Sequence, residues 1–302
     1  MDIIGFGALN LDKLYKVEKI AKRGEHVAIK SINESSGGSA ANTIAALSKL
    51  KLKTGFIGAV GNDNEGKIII EDFKKFKVNT DGIVKIKNQR TGFVIGFVDN
   101  KGERTLYPYP GANSFLNKKN ISLTYIKNSK FLHLTSFVDE KQFRLQKYLI
   151  EKIKSKKEIK ISFSPGDLYV KKGIKELMPI IKRSEIIFLN ANEVRILTGK
   201  SYINGAKILV EKGKVKIVVI TLGKQGCYIK TKESEIYVPS KKLKRVVDTT
   251  GAGDSFAAGF LYGLIKKESL DECGKLGNYL AWKCIQKFGA RTWLSTIDKI
   301  KI

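Results

Sequence analysis

The chain has 302 residues, 42% of them hydrophobic, and carries 56 Lys and Arg against 29 Asp and Glu, a net charge of +27. That length suits one large domain with ample core, and no apolar run approaches the roughly 20 residues of a membrane-spanning helix. Three cysteines, Cys227, Cys273 and Cys284, odd in number and without a C-x-x-C pair, argue against a disulfide framework.

In chain order, Met1-Asp2-Ile3-Ile4-Gly5 lacks a basic leader and reads as the start of a first strand over 3–7, as expected of a cytoplasmic protein. Residues 40–50 place Ile44, Leu47 and Leu50 at helical spacing, 54–60 is strand-like, and 66–76 is helical with cap residues at 62–64. Short apolar runs at 131–134, 159–163, 186–189 and 215–221 suit buried parallel strands. Helical stretches at 140–154, 171–181, 193–198 and 204–212 lie between or beside them. This alternation predicts a doubly wound, mostly parallel α/β sheet flanked by helices. Two segments, 14–32 and 82–107, break the rhythm with alternating apolar and polar residues and read as antiparallel strands outside the main sheet. From Asp248 to about residue 287 the pattern is helical, and no linker or repeat divides the chain, so residues 1–302 are expected to form a single domain.

The charge suggests nucleic acid at first sight. It is nearly all Lys, spread from residue 13 to residue 301, without helix-turn-helix, zinc-finger or RNA-recognition patterns. A solvated Lys-rich surface is expected, with patches at 154–157 and 241–245 that bind polyanions weakly, and no specific nucleic-acid or membrane partner. His133, between apolar residues of a strand and without partners for a metal or triad, reads as a core histidine.

The most informative motif is Asp248-Thr249-Thr250-Gly251-Ala252-Gly253-Asp254, which precedes an apolar helical run. A Gly-rich turn at a helix start leaves N–H groups without helical partners, which with the helix dipole attract an anion such as phosphate. Asp254 inside that turn would repel phosphate, but it suits a group that takes a proton from a hydroxyl attacking the phosphate. Asn10-Leu11-Asp12 follows the first strand and could offer hydrogen bonds to a polyol or simply turn the chain. Gly37-Gly38-Ser39-Ala40-Ala41-Asn42 permits close backbone approach to a ligand, or starts a helix with Ser39 as cap. The run Gly61-Asn62-Asp63-Asn64-Glu65-Gly66-Lys67-Ile68 fails as a P-loop at Ile68, and Gly5-Phe6-Gly7 lacks the third Gly of a dinucleotide fingerprint.

Taken together and in this order, the motifs resemble those of the ribokinase-like (PfkB) carbohydrate kinases, over essentially the whole chain, and the closing D-T-x-G-A-G-D signature is matched in full. The resemblance implies an ATP-dependent kinase, with ADP as donor left open, that phosphorylates a hydroxyl of a small sugar or sugar-like substrate. Asp254 would be the base, and Gly251, Ala252 and Gly253 the anion hole. Asn10, Asp12, Gly38 and Asn42 would hold the sugar. Asn190-Ala191-Asn192-Glu193 matches N-x-x-E, with Glu193 organising Mg²⁺ through water. Thr221, Gly223 and Gly226 would line the nucleotide, with Asn278 on its adenine side. Asp248, Thr250 and Gly289 would surround a monovalent cation, K⁺. A small β lid, from segments near 12–35 and 82–110, would cover the sugar and join two copies in a homodimer.

Ser39 and Ala40 stand where ribokinases proper carry Lys and Gly, Thr135 where they carry a sugar-binding Glu, and Trp293 where a small polar residue is common. A nucleoside kinase, or a sugar-phosphate kinase acting for example on ribose 1-phosphate, is therefore the alternative. Arg104 and Tyr107 of the lid would then grip a phosphate or stack on a base. A non-catalytic polyanion-binding protein is a remoter reading, opposed by the intact Asp254.

Overall fold

The computed structural model describes residues 1–100, 103–153, 159–243 and 245–299. The basic patch at 154–157, Lys244 of the second patch and Gly102 of the lid segment lie outside the described residues. The chain begins with β1 (Ile3–Phe6), β2 (Asn10–Val17), β3 (Ile29–Gly37), α1 (Ser39–Lys49), β4 (Thr54–Gly61), α2 (Asn64–Lys75), β5 (Asn79–Ile86), β6 (Gly92–Val98) and β7 (Arg104–Tyr109). It continues through α3 (Leu123–Lys127), β8 (Phe131–Thr135), α4 (Glu140–Lys152), β9 (Lys160–Ser164), α5 (Gly166–Val170), α6 (Ile174–Ile181), β10 (Ile186–Asn190), α7 (Ala191–Thr198), α8 (Tyr202–Glu211) and β11 (Ile217–Thr221). It closes with β12 (Cys227–Lys230), β13 (Glu235–Val238), α9 (Ala252–Lys266), α10 (Leu270–Cys284) and a 3₁₀ segment, Thr292–Lys299.

A nine-stranded sheet has the order β13-β12-β11-β10-β9-β8-β1-β4-β5, parallel except at the β11–β12 and β12–β13 pairings, where β12 runs the other way. Its central strands are apolar on both faces because helices cover both. Ile4, Leu132, Ile161 and Ile187 belong to one buried cluster with residues of α4, α6 and α8, while Ile3, Ile186, Phe188 and Val219 belong to the other with α1, α9 and α10. After β1 the chain fills the sheet first towards β5, then from β8 towards β13. The reversal of strand order between β1 and β8 is where such sheets open a crevice at the carboxyl ends of their strands.

The second sheet, β3-β2-β6-β7, stands apart from the first, with β2 antiparallel to β3, parallel to β6, and β6 antiparallel to β7. Two expectations change here. The segment that starts at Gly82 contributes β5 to the edge of the large sheet, parallel to β4, and only 92–98 and 104–109 join the small one. The helical stretch expected from Asp248 begins at Ala252 and divides into two helices at Lys267, a residue with φ 68°. The β12–β13 hairpin, which the alternation did not reveal, lengthens the far edge. His133 is buried, as expected for a core histidine, and so are the three cysteines. Burial lowers the His133 pKa to about 3, so the ring stays neutral beside Ser162.

Candidate active site

The sequence motifs converge at the carboxyl ends of the strands. α9 starts from Gly251, whose φ of 78° suits glycine, and an added Cβ there would meet Ala290. Asp254 stands in the first turn of α9, and both of its oxygens are held from α1. Ser39 Oγ donates to Oδ1 at 2.6 Å and Asn42 Nδ2 donates to Oδ2 at 2.8 Å. Thr43 Oγ1 adds a bond to the Asp254 carbonyl at 3.2 Å, so α1 and α9 are locked together at this residue. Burial raises the Asp254 pKa, against the hydrogen bonds from Ser39 and Asn42 and the charge of Arg291. A carboxylate has about four lone-pair positions, so two remain for a substrate hydroxyl. Ala252 N–H donates to Thr249 O, which leaves the amides of Gly251 and Gly253 among the turn's open donors in the described residues.

Asn10 and Asp12 lie at the start of β2. Asn113, unremarked by motif, fixes the first of them: its Nδ2 reaches Asn10 Oδ1 at 3.1 Å and Leu9 O at 2.9 Å, and its Oδ1 accepts from Leu9 N. Burial pushes the Asp12 carboxyl up to about 7; the charges of Arg291 and Arg104 oppose this and that of Asp254 adds to it. Gly38 has φ 103°, and a Cβ there would run into the Ala8 carbonyl. Ser39 is the first residue of α1 and forms no cap; its hydroxyl serves Asp254 instead. Thr135 Oγ1 accepts from Ala40 N at 3.3 Å and so faces the start of α1.

Asn190 accepts from Glu193 N, and Glu193 Oε2 accepts from Asn190 N at 2.8 Å, a reciprocal cap on α7. Burial raises the Glu193 pKa, and the negative charges of Asp167 and Asp254 add to the rise. Glu193, Asn190, Asp254, Ser39 and Thr221 line one cavity of about 160 Å³. Thr221 and Gly253 also border a groove of about 790 Å³ walled by Gly223, Gly226, Asn278 and Trp282. The expected nucleotide residues therefore surround one groove that leads to Asp254. The Asn278 amide itself bonds the Val238 and Pro239 carbonyls, so it shapes the wall.

Asp248 Oδ1 accepts from the backbone N–H and hydroxyl of Thr250, and Oδ2 from Gly289 N at 2.9 Å. Trp293 Nε1 takes the Ala290 carbonyl at 3.0 Å. From the small sheet, Arg104 Nη1 donates to Thr250 Oγ1 at 2.6 Å, joining the lid to the anion turn. Tyr107 is elsewhere. Side chains alternate across a strand, and the register sets Arg104 and Pro108 on the side of Val94 and Asp12, whereas Tyr107 pairs with Ile95 on the opposite face and packs on Phe97 at 6.4 Å. The expectation that Tyr107 could stack on a substrate base is corrected by this register.

The residues that motif reading missed are Asn113, Asp72 and above all Arg291. The available signal was an arginine beside Gly289-Ala290 in a chain whose cations are nearly all lysine.

The large sheet, its small companion and the groove at the strand ends define a ribokinase-type fold. The solved nucleoside kinase of Methanocaldococcus jannaschii, titled an archaeal member of the ribokinase family, superposes with a TM-score of 0.83 at 25% identity, covering 99% of this chain and 98% of that one. An uncharacterized sugar kinase of Archaeoglobus fulgidus is 39% identical over 251 residues, 82% of this chain and 97% of its own. An ATP-dependent ribose-1-phosphate kinase of Halopiger xanaduensis is 27% identical over 86% of this chain and 83% of its own. The profile of the pfkB family carbohydrate kinases matches residues 2–297, and the chain belongs to that family, whose members are phosphotransferases with an alcohol group as acceptor.

Proposed function

We propose that the protein transfers the γ-phosphate of ATP to a hydroxyl of a small sugar or sugar-like molecule, with Asp254 as the base. The observation that carries this is the Asp254 carboxylate, gripped by Ser39 and Asn42 at the point where the 790 Å³ groove meets the smaller cavity. The acceptor hydroxyl lies against Asp254 and is oriented by Asn10, Asp12, Asn42 and the Gly38 backbone. Asp254 takes its proton as the oxygen attacks the γ-phosphorus in line with the departing ADP. The open amides of Gly251 and Gly253 receive the charge of the transferring group; catalysis of this kind is mostly positioning and electrostatics.

Mg²⁺ fits this site: Glu193 keeps one oxygen free of the cap, and the charges of Asp167 and Asp254 already act on it. When bound near Asn190 and Glu193, through water, it neutralises phosphate charge. A monovalent cation fits the Asp248–Thr250–Gly289 loop as a ligand of the Asp248 carboxylate, whose two oxygens are oriented by their N–H donors. Activity should then rise with K⁺ at constant ionic strength, and equal kcat in K⁺ and tetramethylammonium buffers would reject this cation site.

Arg104 supports a second reading, in which the acceptor is itself a sugar phosphate. Its fork reaches Thr250 from the lid, and a guanidinium is suited to phosphate. A panel of sugars, sugar phosphates and nucleosides, scored by ADP formation from ATP, decides among these. Turnover confined to nucleosides would overturn both readings.

The outer face of the small sheet carries Ile32, Tyr15 and Phe97 in one row across three strands, with Tyr107 of the fourth strand diagonal to Phe97 on the same face, and Ile32 and Tyr107 are 60% and 59% exposed. This row supports the homodimer through the lid. Ile32→Asp should shift the mass in light scattering from dimer to monomer, and an unchanged mass, dimeric or monomeric, would reject that interface. A donor of ATP type and three unpaired cysteines suit the cytoplasm.

A further inference from the structure

The Arg291 side chain is 7% exposed and lies among α1, α2 and the end of β3. Its Nε donates to Asn42 Oδ1 at 2.8 Å, Nη1 to Asp72 Oδ2 at 2.7 Å, and Nη2 to the Gly37 carbonyl at 3.3 Å. The Phe73 ring lies 5.4 Å from the guanidinium carbon. Burying a guanidinium is costly unless its donors are met and its charge is opposed. Asp72 opposes it directly, and Asp12 and Asp254 do so at longer range.

The chemistry of the Asn42 amide gives this arrangement a direction. An amide has one accepting end and one donating end, and a guanidinium only donates. Asn42 can therefore meet Arg291 only through Oδ1. That turns Nδ2 outward, towards Asp254 Oδ2, which accepts it at 2.8 Å. Without the guanidinium the amide could turn Oδ1 towards the carboxylate, where two acceptors repel, and the Asp254 side chain would lose one of its two tethers.

We propose that Arg291 is a positioning residue for phosphoryl transfer, acting through Asn42 to fix the Asp254 carboxylate and anchored in turn by Asp72. The same guanidinium holds Gly37, the last residue of lid strand β3, so the lid and the holder of the base share one fixed point. The proposal rests on the reading of Asp254 as the base, and the experiment separates the two.

Steady-state kinetics are measured for Asp254→Asn, Asn42→Ala, Arg291→Lys, Arg291→Met and the Asn42→Ala/Arg291→Met double variant, on the best substrate of the panel. Active molecules are counted by binding of a non-hydrolysable ATP analogue, and thermal midpoints are recorded. Misplacing a reacting group by about 1 Å can cost about 10²-fold, so both Arg291 variants should lose about 10- to 100-fold in kcat while nucleotide affinity stays within about twofold. The double variant should be no slower than the worse single one, because both substitutions break one chain of contacts. Arg291→Lys with wild-type kcat per binding-competent molecule, even if its midpoint falls, would overturn the proposal. Multiplied losses in the double variant would overturn the route through Asn42. If Arg291→Met does not fold, Arg291→Lys and Asp72→Asn decide by the same criterion. Near wild-type kcat in Asp254→Asn would instead bring down the assignment of the base itself.

Discussion

The rim of the large sheet and the small sheet meet at the anion turn, and they are held together differently. On the rim, each polar side chain is tied to main chain or to a neighbouring helix: Asn190 caps α7, Asp248 grips Thr250 and Gly289, and Asp254 is bound by α1. Fully buried strands lie behind them. In the small sheet, β3 and β7 are mostly exposed, and the lid meets the anion turn through the Arg104–Thr250 bond. Segments with few buried contacts open at the lowest free-energy cost. The rim is thus the rigid half, suited to a reaction common to a family, and the small sheet is the yielding half, suited to closing on a particular acceptor.

The sharpest break in this division is on the rim. Asp254→Asn should lower kcat by about 10²–10⁴, the usual loss of a general base, while ATP-analogue binding by calorimetry stays near wild type. Loss of nucleotide binding together with turnover would mean that Asp254 builds the groove instead of working in it. On the yielding side, Arg104→Ala should act on affinity: KM of the acceptor rises about tenfold or more with kcat little changed, the pattern of an interaction equal in ground and transition states. Unchanged kinetics would make Arg104 a solvated lid residue and favour a neutral sugar as acceptor.

Asp12 lies at the boundary and offers the smallest test. Its carboxyl, near 7 when folded against about 4 when unfolded, binds its proton more tightly in the folded chain. It therefore costs stability progressively as pH rises from about 4, and fully above 7. Asp12→Asn removes that cost, so its gain in thermal midpoint over wild type should be larger at pH 8 than at pH 5 by scanning fluorimetry. Equal gains at both values would show that the Asp12 carboxyl is not desolvated.

The rigid half was also the legible half. Runs such as Ile186-Ile187-Phe188-Leu189 are apolar throughout because helices cover both faces of their strand, and the Gly-rich turn before α9 announces its open amides. β5 was misplaced because Asn79–Ile86 is an edge strand with partly exposed residues, and its alternation looks the same in either sheet. The facing of Tyr107 depends on strand register, which alternation alone leaves undetermined by one residue. Arg291 was hidden for another reason: it lies 249 positions from Asn42, and a contact of that span leaves no local pattern. Ser39 read as a cap, since its part in holding Asp254 depends on a residue 215 positions away.

The corner between β3 and α1 has one consequence for engineering. Gly37 ends the lid strand, Gly38 is wedged against Ala8, and Ser39 already holds Asp254. Three consecutive residues thus serve the lid, the hinge and the base, with no spare length between them. An inserted residue here would slide Ser39 and Asn42 around the helix by about 100° and release the carboxylate. The exposed stretch at 18–26, between β2 and β3, belongs to the same lid but carries none of this register. Exchange of lid sequences between relatives is therefore best made through that outer turn, with the inner corner left at its present length.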